Sequence, residues 1–424
     1  MLFNYLSAVV LFLLYAPSAL VSYCIVWLDR LAQFAMPFPR SIEQLQQRQA
    51  WCIEQLKKCG ALPTNSNITA FEVKAFQQEY IFRSNAARIE IKYTLNGIEH
   101  QLRCFAKFAP TSGTVWNRTI FNLQLNHIKE SLFNKSYCTG ETHIAAPQCY
   151  FSDYSSATGN LCLITEYLEN NVEYTEGVYE TLLPQHLQLA IKGMANLHAR
   201  FWGAEAAKAK QVFPITNSTV YLFELFTVFS WSKAARKLLV QSWCYMNEPQ
   251  TILHGDARIG NMMFPNPNTT GGRFAFIDWQ AVRKGKATFD LAYFLVLSLT
   301  PEHRQQVEDT CLENYYATLV ENGVSNYTLH DLKIDYRHAC ICILVLLSLP
   351  LLSGEASAEG QAALYFAYGM GIWRERMRIK FTDFDYAWMA RQYNLTEEEC
   401  RNAINEMLEV ISNRLNKIET TRLS

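Results

Sequence analysis

The sequence predicts an α+β fold in which a sheet-rich N-terminal part precedes a larger helical part. Residues 70–110 alternate apolar and polar side chains as strands do, and Asn96-Gly97 has the composition of a hairpin turn. From Leu182 onward, apolar residues recur at helical spacing. A second pair of short strands is predicted within the helical part, in the stretch 252–294.

Composition excludes some classes of function. The chain has 424 residues, of which 50% are hydrophobic, enough for a sizeable core in two domains or in one two-lobed molecule. A net charge of −1 argues against nucleic acid as a partner. The 12 cysteines show no metal-binding spacing beyond the weak pair Cys340-x-Cys342. That pair lies in an apolar run, 338–352, which is expected to be a buried helix.

The N-terminal segment predicts a membrane anchor. Residues 2–28 contain no charged residue, and about 20 apolar residues can span a bilayer. A cleaved signal peptide is the alternative, but it would need a charged start and a shorter apolar core. Basic residues occur only after the segment, which places the rest of the chain in the cytoplasm by the positive-inside rule. We therefore expect an anchor over residues 1–30, with the endoplasmic reticulum as one candidate membrane.

Three further regions follow the anchor. Residues 31–69 are predicted to form a linker and an amphipathic helix, which begins at Ser41 with Gln44 as its capping partner and ends at Gly60. Its apolar residues are expected to pack on the sheet. Residues 70–168 form the sheet-rich N-lobe, and residues 169–424 form the helical C-lobe.

Three polar residues stand inside otherwise apolar runs between Ile252 and Phe294. Asp256 follows His254-Gly255 in a tight turn, Asn261 comes five residues later, and Asp278 ends the strand-like run 274–277. The loop containing Gly271-Gly272 is predicted to join two short strands as a hairpin. Such a hairpin would bring Asn261 and Asp278 close together beside Asp256.

These three residues suit phosphoryl transfer. That reaction needs a carboxylate to accept the proton of the attacking hydroxyl, and oxygen ligands for Mg²⁺. The sequence H-G-D-x-x-x-x-N followed by I-D-W keeps the spacing of the protein-kinase pattern H-R-D-x-x-x-x-N and D-F-G. A polar hairpin turn with a strand-capping Asp is the structural alternative. We predict Asp256 as the catalytic base, and Asn261 and Asp278 as Mg²⁺ ligands.

This stretch resembles the aminoglycoside phosphotransferase and choline kinase-like superfamily of small-molecule kinases, and most closely its ecdysteroid kinase-like branch. The resemblance is carried by D-W-Q at 278–280, Gly285, D-L-A-Y-F-L at 290–295 and L-H-A-R-F-W-G at 197–203. It covers roughly residues 80–380. It implies a two-lobed protein kinase-like fold that uses ATP and Mg²⁺ to phosphorylate a hydroxyl of a small-molecule acceptor.

The resemblance also implies a nucleotide site in the N-lobe. Lys107, in C-F-A-K-F-A-P, is similar to the strand lysine that contacts the α- and β-phosphates. The first turn of the sheet would cover the phosphates, and here it is expected at residues 83–86, without glycine. The expected contacts there are Ser84 and Asn85. The hinge between the lobes would contact the adenine base through Glu166, Tyr167 and Leu168.

The lysine needs an acidic partner on the next helix. The apolar residues of that helix define one face, which Gln124 borders, and Glu130 points nearly opposite to it. We therefore expect the contact Lys107–Gln124. This departure and the missing glycines keep an alternative open: a catalytically weak or inactive kinase-like protein that binds a nucleotide or another ligand.

The acceptor is only broadly indicated. Residues 219–246 and 363–388 are rich in aromatic side chains, and the chain has no dense acidic patch that would suit a polycation. A neutral or apolar alcohol, possessing some affinity for lipid, fits these residue types best. A steroid-like alcohol, choline or ethanolamine, a hydroxy acid and a sugar all stay open. His254 and Asp290 are expected to brace the loop around Asp256, and His198 is expected to be a structural histidine.

Overall fold

The chain forms two compact units. The computed structural model describes residues 20–76, 85–109, 115, 118–119, 122, 126–139, 144–174, 182–203, 205, 208, 231–245, 249–348 and 385–423. One unit contains Met1–Glu169 with Ile277–Ala281, and the other contains Asn170–Phe276 with Val282–Ser424. The first is built on a five-stranded sheet and the second is mainly helical, which confirms the predicted α+β class.

The first unit contains four described helices and five strands. The helices are α1 (20–32), α2 (Ile42–Gln47), α3 (Gln49–Lys58) and α4 (Asn126–Tyr137). The strands are β1 (Asn67–Ala75), β2 (Asn85–Leu95), β3 (Ile98–Phe108), β4 (Cys149–Tyr154) and β5 (Leu161–Glu166).

The sheet of the first unit is antiparallel, with the order β1-β2-β3-β5-β4. The predicted hairpin turn is confirmed, because Asn96 and Gly97 both have positive φ values, of 52° and 80°. The predicted turn at 83–86 is wrong in position. Asn85 and Ala86 belong to β2, and Ala86 pairs with Lys107, while Ser84 lies outside the described residues.

The single helix predicted from Ser41 to Gly60 is instead two helices, α2 and α3, which are divided at Arg48. Both pack on this sheet, as expected of the predicted helix. Ser41 Oγ accepts a hydrogen bond from Gln44 N at 3.2 Å and so begins α2. The buried residues of the two helices form one core with those of β2, β3 and β5. Its members include Leu45, Cys52, Leu56, Ile89, Ile91, Cys104, Phe108 and Ile164.

The predicted anchor falls mostly outside the described part of the chain, because residues 1–19 are not described. Among the residues that are described, no helix has the length and apolar character needed to cross a membrane.

The second unit contains the remaining elements. Its strands are β6 (Asn171–Glu173), β7 (Gln250–Leu253), β8 (Met262–Pro265), β9 (Ala275–Phe276) and β10 (Arg283–Lys286). Its described helices are α5 (Pro184–Arg200), α6 (Lys233–Tyr245), α7 (Thr288–Ser298), α8 (Pro301–Glu321), α9 (Leu329–Ser348), α10 (Tyr386–Tyr393) and α11 (Glu397–Leu423).

The hairpin predicted around Gly271-Gly272 is confirmed. Strands β8 and β9 pair antiparallel with Met262 opposite Phe276, and β6 extends this sheet on the other side of β8. A side chain at Gly272 would lie 2.2 Å from the carbonyl oxygen of Asn170, so only glycine fits there. Gly271 has a φ of +85°.

One other local prediction is confirmed in this unit. Cys340 and Cys342 are buried in α9 and act as core residues. Most of the two aromatic-rich segments expected near the acceptor, however, lies outside the described residues, since 209–230 and 349–384 are not described.

Candidate active site

Lys107 lies at the centre of a buried ionic cluster in the first unit. Its Nζ atom lies 2.7 Å from Glu130 Oε1 and 2.7 Å from Asp278 Oδ1. The lysine side chain is 9% exposed and that of Glu130 is 1% exposed. The strand β3 supplies the lysine, α4 supplies the glutamate, and the segment Ile277–Ala281 supplies the aspartate. Three separate elements of the fold thus bring one lysine and two carboxylates into contact.

The expectation that Glu130 points away from Lys107 is wrong, because the two side chains are in contact at 2.7 Å, and Glu130 is thus the described partner of the lysine on this helix. Most of the buried residues of α4 are polar, namely His127, Glu130, Ser131 and Asn134, and Phe133 is buried as well. The sequence argument assumed that an apolar face is the buried one. Here burial follows the contact with Lys107 and the hydrogen bond between Ser131 Oγ and Ser152 Oγ at 2.8 Å. Gln124 itself lies outside the described residues.

The charges in the cluster shift one another's ionisation. Burial alone would lower the pKa of Lys107, but the carboxylates of Asp278 and Glu130 raise it above its ordinary value. Burial raises the pKa of Glu130 to about 7; Lys107 offsets part of this effect and the charge of Asp278 adds to it. Two carboxylates thus compete for one ammonium group.

Asp278 adopts a backbone conformation that is costly for a residue other than glycine. Its φ angle is 65°, in the left-handed region, and such strain is concentrated at functional sites. Its Oδ2 atom accepts a hydrogen bond from Gln280 Nε2 at 3.3 Å. Next to it, the Trp279 ring stacks on Phe133 of α4 with ring centroids 4.2 Å apart. The stacking fixes the chain on either side of the carboxylate.

In the second unit, Asp256 and Asn261 lie together in the loop formed by residues 254–261, here termed the HGD loop. Asn261 Nδ2 donates to the Asp256 carbonyl oxygen at 2.9 Å and to Asp256 Oδ2 at 2.8 Å. Both amide hydrogens are therefore used, which leaves the amide oxygen of Asn261 as its ligand atom. The side chain of Asp256 is 18% exposed, so solvent can reach it.

The HGD loop is fixed by a carboxylate from α7. Asp290 accepts hydrogen bonds from the backbone nitrogens of His254 at 2.6 Å and Gly255 at 2.9 Å. Its Oδ2 atom also lies 3.3 Å from His198 Nε2, while His198 Nδ1 contacts the hydroxyl of Tyr315 at 2.6 Å. Burial would raise the pKa of Asp290, but the contacts with His198 and the amides hold it below its ordinary value. The bracing role of Asp290 and the structural role of His198 are both confirmed.

Arg258 is a residue that the sequence argument missed. Its Nε atom lies 3.3 Å from Asp256 Oδ1, and its side chain is 31% exposed. A cation beside the candidate base would attract a phosphate to that position. Its place two residues after Asp256, inside the motif itself, was the signal that could have identified it.

The structure describes only some of the residues predicted to bind the adenine base and the phosphates. The Glu166 nitrogen donates to the Gln148 carbonyl oxygen at 2.8 Å, so its amide hydrogen is already used. An adenine base could meet Glu166 only through its carbonyl oxygen, which also accepts a hydrogen bond from Thr165 Oγ1 at 3.2 Å. Tyr167 and Leu168 follow β5 directly.

A cavity of about 540 Å³ opens in the second unit, lined by residues that include Trp202, Lys286, Tyr327 and Asp335. Asp335 accepts from Lys286 Nζ and from the Tyr327 hydroxyl, each at 2.8 Å. Lys286 pairs with Gln250, three residues before Leu253 on β7, which corresponds to about 10 Å along the strand.

A protein-family match covers the part of the chain that contains several of these candidate site residues. Residues 234–325 match the Ecdysteroid kinase-like family. The matched range contains the whole HGD loop, the β8–β9 hairpin, Asp278 and Asp290. The resemblance predicted from the sequence is thereby confirmed. An uncharacterized kinase-like protein of Caenorhabditis elegans is 34% identical over 90 residues, which cover 21% of this chain and 23% of the relative.

Solved structures give more distant similarities. A Ralstonia eutropha protein described as a candidate aminoglycoside phosphotransferase aligns at 13% identity and a TM-score of 0.46, covering 78% of this chain and 98% of its own. A Streptococcus pneumoniae choline kinase aligns at 13% identity and a TM-score of 0.37, covering 87% of this chain and 99% of its own. The GDP complex of an aminoglycoside 2'-phosphotransferase aligns at 13% identity and a TM-score of 0.40, covering 88% of this chain and 99% of its own.

Proposed function

We propose that this chain is a two-lobed, protein kinase-like small-molecule kinase, which transfers the γ-phosphate of ATP to a hydroxyl of its acceptor. The observation that carries the proposal is the buried contact of Lys107 with both Glu130 and Asp278. Lys107 supplies one positive charge to two carboxylates, and Asp278 is the one whose side chain is partly exposed, at 26%. A partly exposed carboxylate beside this lysine suits a divalent cation.

The proposed metal is Mg²⁺, with Asn261 and Asp278 as its ligands. Carboxylate and amide oxygens are the ligands that this ion takes from proteins. The fit rests on Asn261, whose amide nitrogen is committed to Asp256 and whose oxygen is thereby oriented away from it. When bound, Mg²⁺ would neutralise charge that develops on the phosphate oxygens.

Asp256 is the proposed base. Its carboxylate accepts the proton of the acceptor hydroxyl while the new oxygen–phosphorus bond forms, and the bond between the γ-phosphorus and the bridging oxygen breaks to release ADP. Asn261 fixes the orientation of this carboxylate through the 2.8 Å hydrogen bond. Arg258, 3.3 Å from Asp256, attracts the phosphoryl group and stabilises its charge.

The nucleotide would be positioned by residues of the first unit. Lys107 contacts the α- and β-phosphates, and Glu130 holds the lysine in place for that contact. Ser84 and Asn85 are proposed to approach the phosphates. The adenine base is proposed to bind at Tyr167, Leu168 and the carbonyl oxygen of Glu166.

The acceptor is proposed to be a neutral or lipophilic alcohol that reaches the enzyme from a membrane. Residues 1–30 are proposed to hold the protein at that membrane, with the endoplasmic reticulum as one candidate, and with the rest of the chain on the cytoplasmic side. ATP is supplied on that side.

Transfer of label from [γ-³²P]ATP to compounds of a metabolite extract tests the proposal. Wild-type protein should label one class of small molecule, and Asp256→Asn should not, because an amide cannot accept the proton. Asp309→Asn, the same chemical change at an exposed carboxylate of α8, serves as a matched control and should keep transfer. If no compound is labelled by wild-type protein that binds Mg·ATP, the proposed activity is wrong.

The alternative is a catalytically weak or inactive kinase-like protein that binds a nucleotide or another ligand. It was supported by the missing glycines and by the expected Gln124 partner. Glu130 removes the second of these supports, since Lys107 has a carboxylate at 2.7 Å. Mg·ATP binding without transfer to any metabolite would favour this alternative.

A further inference from the structure

Helix α1 exposes mainly apolar side chains, whereas a surface helix usually exposes polar ones. Its inward face contains Ser22, Val26 and Asp29, spaced three and four residues apart, and both Val26 and Asp29 are fully buried. A surface helix of a soluble protein normally buries its apolar stripe and exposes its polar residues. In α1 the large exposed side chains are apolar: Leu20, Val21, Tyr23, Trp27, Leu28 and Leu31. Phe34, just beyond the helix, is also exposed.

The exposed apolar surface of α1 is extensive for a soluble protein. Leu20 is 64% exposed and Leu31 is 65% exposed, and they lie toward the two ends of the same helix. Scattered exposed apolar residues are ordinary, but a contiguous group marks a surface that contacts a partner. The exposed residues between 20 and 32 include one charge, Arg30, near the end of the helix.

Asp29 fixes this helix to the first unit. Its Oδ1 atom lies 2.9 Å from Arg40 Nη1, and its Oδ2 atom lies 3.0 Å from Arg118 Nη2. Asn160 Nδ2 also donates to Oδ2 at 3.2 Å. Thus the acidic side chain of the helix is withdrawn from the exposed face and neutralised by two arginines. The helix is held as part of the folded unit.

The chain before α1 indicates what covers the exposed face. Residues 2–19 contain no charged residue, so the uncharged stretch extends through residue 28 and meets the apolar face without a charged interruption. Arg30 follows where the uncharged stretch ends, and a basic side chain there can reach lipid headgroups while its stem stays in apolar surroundings. A lipid bilayer matches both features.

We infer that the exposed face of α1 is a bilayer-contact surface, and that the Asp29 contacts hold the nucleotide-binding unit against the membrane in one orientation. The membrane attachment proposed above would then be a docked helix and not a loose tether. This inference deepens that attachment and does not depend on phosphoryl transfer, because its test measures chemical labelling.

Two cysteines provide the test in the full-length protein. Cys24 lies on the exposed side of α1, and Cys59 is exposed at the end of α3. The protein is placed in vesicles of phosphatidylcholine and phosphatidylserine, which are opened by freezing and thawing so that both sides meet the reagent. A charged maleimide is added, and the labelling rates of both cysteines are measured by mass spectrometry. The ratio of the two rates in the unfolded chain corrects for their intrinsic difference in reactivity.

Cys24 should react about tenfold or more slowly than Cys59 after this correction, because lipid excludes the reagent and disfavours the reactive thiolate. Equal corrected rates would overturn the inference. Leu28→Glu with Leu31→Glu should restore much of the Cys24 reactivity, whereas Ile98→Glu, at a residue that is 63% exposed on β3, should leave it unchanged.

A second copy of the chain is the rival occupant of this face. If Cys24 became reactive when the protein was diluted at constant lipid concentration, its protection would come from another protein molecule, and the inference would be wrong. Protection that is constant over the dilution series supports the bilayer.

Discussion

At the scale of single residues, the ionic cluster around Lys107 governs how the candidate site behaves. One lysine contacts two carboxylates, each at 2.7 Å; Lys107 and Glu130 are almost fully buried, and Asp278 is 26% exposed. Glu130 holds the lysine from α4, while Asp278 is the carboxylate that would change partners when a cation binds. The two acids therefore have different roles although their contacts with the lysine are equal in length.

Glu130→Ala should weaken ATP binding, because Lys107 would then be drawn to Asp278 alone. Removing a residue that orients a ligand-binding group typically costs about 10- to 100-fold in affinity or activity. Gln124→Ala is the matched control, since it removes the partner that the sequence indicated, and it should leave the affinity unchanged. Isothermal titration with Mg·ATP measures both. A larger loss of ATP affinity in the Gln124 variant would show that Gln124, as predicted from the sequence, is the partner of Lys107.

The raised pKa of Glu130 predicts a pH effect on stability. Its pKa rises from an ordinary 4.5 to about 7 in the folded protein, so the folded state binds the proton more tightly than the unfolded state does. The resulting stabilisation is complete below about pH 4.5 and is lost as the pH rises through about 7.

The free energy of unfolding should therefore fall between about pH 5 and about pH 8 by more in wild-type protein than in Glu130→Gln. The difference should be at most about 3 kcal/mol, from about 1.4 kcal/mol per pKa unit. Urea unfolding at the two pH values measures it. A wild-type protein that loses no more stability than the variant would contradict the raised pKa.

At the scale of secondary structure, the elements differ in how far the sequence determines them. The β8–β9 hairpin is specified locally, because Gly272 leaves no room for a side chain and Gly271 adopts a positive φ. The buried face of α4 is not. Its polar residues are buried by contacts with Lys107, Asp278 and Ser152, which come from other elements, so helical periodicity indicated the wrong face.

The connection between β1 and β2 is another element that the sequence did not place correctly. Strand β1 ends at Ala75 and β2 begins at Asn85, so the chain between them is longer than the turn expected at 83–86. No glycine or Asn-Gly pair marks this connection, and strand pairing across β2 and β3 fixes where β2 begins. The three motif positions Asp256, Asn261 and Asp278, in contrast, could be identified from their spacing, and the place of Arg258 within the same motif was a signal that the sequence argument did not use.

Asp290→Ala should destabilise the second unit and disorder the HGD loop. The change leaves the backbone nitrogens of His254 and Gly255 buried without their acceptor, which costs about 3–5 kcal/mol in total. Asp331→Ala is the matched control, because Asp331 only caps the first turn of α9 through Thr328 and should cost about 1 kcal/mol. Thermal unfolding compares the two variants. Equal shifts in Tm would show that Asp290 does not brace the loop.

At the scale of the whole molecule, the proposed membrane anchor raises the question of which side of the membrane the rest of the chain would lie on. The positive-inside rule predicts the cytoplasm, while N-x-S/T sequons, including those at Asn67 and Asn217, would be acceptors for glycans in the lumen. Protein from a eukaryotic host should fractionate with membranes, resist extraction by salt and show no size change on glycosidase treatment. A size change would place the units in the lumen, without the cytosolic ATP supply.

The central claim is the division of roles between Asp256 and Asp278, and paired titrations of Mg·ATP into two variants test it most directly. Asp256→Asn should bind Mg·ATP with nearly wild-type affinity and show no transfer, because the new amide oxygen can still accept the hydrogen bond from Asn261 but cannot accept the proton of the acceptor hydroxyl. Asp278→Ala should lose Mg²⁺-dependent nucleotide binding, since it removes the carboxylate that lies beside Lys107 and is proposed to bind the ion. Equal loss of ATP affinity in both variants would contradict the proposed roles.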